Sequence, residues 1–83
     1  MSTEMIWMNR NVAVLARLYH LRNIQPVWTK QDDGFCRMTL RWGDRGVSAV
    51  FGTDELIEAS KGTESAQMAA ICKLAELVRS LEG

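Results

Sequence analysis

Eighty-three residues with 47% hydrophobic and 24% charged content describe one globular domain, 1–83, and argue against disordered, collagen-like and membrane-spanning chains. Ten lysines and arginines balance ten acids, so the basic excess of a generic polyanion binder is missing. A chain this short buries only about two thirds of its unfolded surface, which keeps a homodimer, or a core shared with a partner, within reach.

The charge is unevenly spread. Residues 1–25 set Arg10, Arg17 and Arg22 against Glu4, a net +2, while residues 53–64 set Asp54, Glu55, Glu58 and Glu64 against Lys61, a net −3. Helix-compatible residues run from Asn11 to Arg22, with Val14, Leu15, Leu18 and Leu21 at helical spacing and Val12 and Tyr19 on a second flank. This predicts a first helix. Met1 to Trp7 either fray or begin it early, with Asn9 an alternative N-cap, and Asn23 followed by Pro26 ends it.

Val27 to Gln31 are rich in β-favouring residues after a proline and read as an edge strand, which Asp32-Asp33-Gly34 turns into the next. From Phe35 to Trp42 the side chains alternate, placing Cys36, Met38, Leu40 and Trp42 on one face and Phe35, Arg37, Thr39 and Arg41 on the other. Gly43-Asp44-Arg45-Gly46 supplies a tight turn, and Val47, Ala49 and Phe51 resume the alternation in a hairpin partner. Residues 54–60 fit either a fourth, extended edge strand or a helical turn capped by Thr53 or Asp54, and we favour the strand.

Thr63 and Glu64 open the last helix, whose stripe of Ala66, Ala70, Leu74, Leu77 and Leu81 is flanked by Ile71 and Val78. The expected fold is therefore α+β: an antiparallel sheet of three or four strands with two helices on one face, in the order α-β-β-β-(β)-α.

Motifs for chemistry are sparse. His20 stands without a nucleophile context, Asp32-Asp33 before glycine reads as turn chemistry, and no phosphate-binding glycine pattern occurs. Cys36 and Cys72 have no metal spacing and read as free thiols, with a disulfide between them the alternative in an oxidising compartment. No enzyme, cofactor or metal is expected. Without a signal-peptide pattern or an apolar run of about 20 residues, the expected setting is cytoplasmic and off the membrane. The acidic run of Asp54, Glu55, Glu58 and Glu64 fits a solvated, charge-protected edge better than phosphate mimicry. The candidate site is the uncovered face of the sheet: Arg37, Arg41 and Arg45 are suited to pairing with carboxylate or phosphate, with Trp28 as an aromatic anchor.

The α-β-β-β-α order resembles the double-stranded-RNA-binding domain, with Ala66, Ala69 and Ala70 where that family has an alanine-rich turn. The resemblance implies phosphate-binding lysines at the start of the last helix, and Thr63, Glu64 and Gln67 stand at the matching positions. The segments Glu58-Ala59-Ser60 and Ala69-Ala70-Ile71-Cys72-Lys73-Leu74-Ala75 are similar to the closing part of small bacteriophage α-β-α sandwich accessory proteins, anti-CRISPR inhibitors among them. That resemblance implies a phage protein that binds and blocks a host protein complex. A non-enzymatic protein-binding module is the reading these residues favour, and a nucleic-acid-binding domain is the alternative.

Overall fold

A computed structural model describes residues 2–30 and 33–82. Helix α1 spans Thr3–Leu18, followed by strands β1 (Gln25–Lys30), β2 (Phe35–Trp42) and β3 (Arg45–Gly52), and then helices α2 (Thr53–Lys61) and α3 (Glu64–Glu82). The strands form one antiparallel meander in the order β1-β2-β3. The α+β class and element order expected from the sequence hold, with one helix before the strands and two after.

Alternation in β2 decides which face is covered. Cys36, Met38 and Leu40 are buried, and they meet Leu56 of α2, Ala70, Leu74, Leu77, Val78 and Leu81 of α3, and Met8 and Val12 of α1 in one cluster. Phe51, opposite Cys36 in the register, joins from β3. Among the described residues no polar or charged side chain is fully buried, so this core is held by apolar burial and close packing. Truncating one of its fully buried leucines, such as Leu74, costs on the order of 2–5 kcal/mol.

Three expectations need correction. Residues 53–61 are helical and do not form a fourth strand. Leu56 and Ala59 are buried while Asp54, Glu55 and Glu58 face solvent, a helical period that outweighs the short extended reading. The first helix takes the early start left open for residues 1–7, beginning at Thr3, but it stops at Leu18, four residues short of the expected Arg22. Its buried face is Met8, Val12 and Ala16, so Val14 and Leu18, expected on the apolar side, are exposed. A longer helix offered a second apolar stripe, and the methionine-led one packs into the shared core beside α2 and α3.

The C-terminal ends of α1 and α2 are closed by the same backbone device. After α1, His20 adopts φ 58, Leu21 N–H donates to Ala16 O at 2.8 Å and His20 N–H to Arg17 O at 3.2 Å, a Schellman arrangement that buries Leu21. After α2, Gly62 adopts φ 108, with Thr63 N–H donating to Glu58 O and Gly62 N–H to Ala59 O. Gln67 then donates its side-chain amide to Ala59 O at 2.9 Å, tying the start of α3 to the end of α2.

In the β2–β3 hairpin Trp42 pairs with Arg45 across a two-residue turn, and only Gly43 has positive φ (64), the type II′ pattern. The β1–β2 turn runs through Asp33 (φ 66) and Gly34 (φ 77), while Gln31 and Asp32, expected in the strand end and the turn, lie outside the described residues.

Because histidine pays a steric cost in the left-handed region that glycine avoids, His20→Gly is expected to raise unfolding free energy by about 0.5–1 kcal/mol. Gly62→Ala is expected to lower it by about 1 kcal/mol, and thermal denaturation followed by circular dichroism reads both.

Candidate functional site

The face of the sheet opposite the helices is open. β1 contributes Val27 and Thr29, β2 contributes Phe35, Arg37, Thr39 and Arg41, and β3 contributes Ser48 and Val50, as the register dictates. Phe35 is 48% and Val27 44% exposed, large apolar side chains left in solvent. Arg37 makes one long contact, Nη1 to Ser48 Oγ at 3.4 Å. None of the described strand residues on this face is acidic, so two guanidinium groups flank an apolar patch without an acidic strand neighbour.

Of the four residues singled out from the sequence, the structure brings Arg37 and Arg41 together on this face and sends Trp28 and Arg45 to the other. Trp28 pairs with Met38 and therefore points toward the helices. Its ring packs at the core edge, with its centroid 6.5 Å from that of Phe51, and its Nε1 donates to Asn9 Oδ1 at 3.0 Å. The aromatic on the open face is Phe35, which the period-two pattern had already set there beside the arginines. Arg45 is opposite Trp42 at the end of the hairpin, where its Nη1 donates to Leu81 O at 2.9 Å and Glu82 O at 3.3 Å. A cation at the carbonyl end of a helix is favourable, so Arg45 serves as the cap of α3.

The sheet edges are guarded. Lys73 donates to Val50 O from α3 and lies over the Phe51 ring, 4.8 Å from its centroid. Val50 O therefore points away from β2, and strand alternation puts Gly46 and Ser48 on the same outer side of β3. Lys73 and Arg45 thus bracket that edge. On β1 the same alternation turns Pro26 outward, where it has no N–H to offer.

Two concavities lie on the helical side. A groove of about 360 Å³ between α2 and α3 is lined by Phe51, Glu55, Cys72, Lys73 and Glu76. A smaller cavity of about 240 Å³ is lined by Ser2, Glu4, Met5, Cys36 and Thr53, and the buried Ser2 Oγ there has no hydrogen-bond partner. Cys36 and Cys72 are both free thiols, one buried and one exposed. Burial pushes the Cys36 thiol above its ordinary value and the nearby Glu4 adds to this, while a hydrogen bond with Thr53 works against both. Among the described residues no group of three or more histidine, cysteine, aspartate or glutamate side chains could hold a metal ion, and no helix is long and apolar enough to cross a membrane.

No protein-family model matches the chain, and neither the curated proteins nor the solved structures give a significant match.

Iodoacetamide at neutral pH is expected to label Cys72 alone in the folded chain, and both cysteines in denaturant, as read by intact mass. Double labelling of the folded protein would show that the core around Cys36 opens readily.

Proposed function

We propose that this chain is a non-enzymatic protein-binding module that docks an acidic partner surface on the open face of its sheet. The observation that carries this reading is the pairing of exposed Phe35 and Val27 with Arg37 and Arg41 on a face without an acidic strand residue. Arginine beside an apolar centre is the composition of a protein interface core, where the guanidinium forms bidentate bonds to carboxylate and also stacks on rings. The guarded edges of β1 and β3 support the same reading, because they leave the face rather than strand addition as the route to a partner.

In its specific form the proposal follows the resemblance to small phage accessory proteins: an inhibitor or adaptor that binds a host defence complex in the cytoplasm. Nucleic acid is the weaker occupant. At the start of α3, where the RNA-binding-domain resemblance would place phosphate contacts, Glu64 carries the wrong sign and the Gln67 amide is engaged with Ala59 O.

The test is affinity capture from a host lysate with the wild-type chain and with Arg37→Glu plus Arg41→Glu. Both positions are exposed, so the double variant is expected to keep its melting temperature to within a few degrees while losing the captured complex. Retention of the same complex by the variant would remove the open face as the site. Capture of nucleic acid with an affinity that falls steeply with salt would replace the protein reading altogether.

A further inference from the structure

We infer that two copies of this chain associate about a two-fold axis through their helical layers, the outer face of α1 in one protomer lying on the outer face of α2 in its partner, and the reverse. This surface is separate from the open sheet face and does not depend on the function proposed for it.

The argument begins with α1. Leu18 is 68%, Val14 54% and Ile6 41% exposed, so this one helix holds three of the exposed large hydrophobic side chains among the described residues. Arg10 and Arg17, seven residues apart, lie on the same outer side, opposite buried Met8, Val12 and Ala16. After Glu4 the helix contains no acid. Its outer face is therefore apolar and basic, over a length of about 24 Å for 16 residues.

The complement is on the same molecule. Helix α2, which packs beside α1, buries Leu56 and Ala59 and turns Asp54 and Glu58 to solvent, with Ile57 half-buried beside them and Lys61 as one base at the end of the same side, so that the strip is acidic over its first two turns. Among the described residues, the charged side-chain groups of Arg10, Arg17, Asp54 and Glu58 have no hydrogen bond or ion pair within their own chain.

A basic apolar strip next to an acidic strip is self-complementary under a two-fold rotation. Each strip then meets its opposite, and the contact closes at two subunits. Pairing two open sheet faces would instead set Arg37 and Arg41 against their own copies, with no acid among the described strand residues of that face to offset them. A dimer through the helices leaves both sheet faces outward.

Sedimentation equilibrium on the full chain tests this. The wild type is expected to show a monomer–dimer equilibrium that shifts toward monomer as salt rises. Arg10→Glu plus Arg17→Glu, and separately Asp54→Lys plus Glu58→Lys, should each weaken the dimer about 10-fold or more. An equimolar mixture of these two variants should form a heterodimer, since one variant then carries acids on both strips and the other carries bases on both. Leu18→Gln, at the most exposed apolar position of α1, should weaken the dimer without touching charge. A wild type that stays monomeric up to about 1 mM at low salt overturns the inference. So does a dimer that survives both charge reversals, or one lost on Arg37→Glu plus Arg41→Glu.

Discussion

The whole arrangement depends on the burial of one face of β2. Cys36, Met38 and Leu40 supply the central strand's share of the core, and because strand side chains alternate, burying them obliges Phe35, Arg37, Thr39 and Arg41 to face the other way. A slip of one residue in the register would bring the arginines into a core with no counter-charge, so the hydrophobic term pins the register firmly. What the open face offers to a partner is thus a by-product of what the core requires.

Long cations recur as devices that finish this small fold. Arg45 closes the carbonyl end of α3, and Lys73 reaches from α3 to a β3 carbonyl while its ammonium rests on Phe51. Each ties a helix to a strand that would otherwise present open backbone groups. Gln67 does comparable work between α2 and α3 by bonding to Ala59 O. These side chains are polar residues in structural roles, which is why an inventory of charges overstates the surface available for recognition.

After that accounting two exposed surfaces among the described residues combine large apolar side chains with arginines: the open sheet face and the outer side of α1. They differ in neighbourhood. The sheet face has no acidic strand residue on it, whereas α1 lies beside the acidic α2. The first surface is the one proposed for an outside partner, and the other the one inferred to meet a second copy. A chain of 83 residues with a modest core gains from covering either one.

Period-two alternation in residues 35–42, the Gly43 turn and the leucine stripe of the last helix are local patterns, and they determined the α+β class, the hairpin and the outward setting of Arg37 and Arg41. Residues 54–60 were not legible in the same way: so short a segment admits both periods, and contact of Leu56 and Ala59 with the core chose the helix. The face of α1 was equally open, since Val14 and Leu18 are as apolar as Val12 and Ala16, and only packing against α2 and α3 in the shared core selected between them. Trp28 and Arg45 were misplaced for the same reason, because no short-range signal gives the register of β1 on β2 or brings the end of α3 to the hairpin. Spacing along the chain settles what repeats locally, and packing across it settles which of two similar surfaces is hidden.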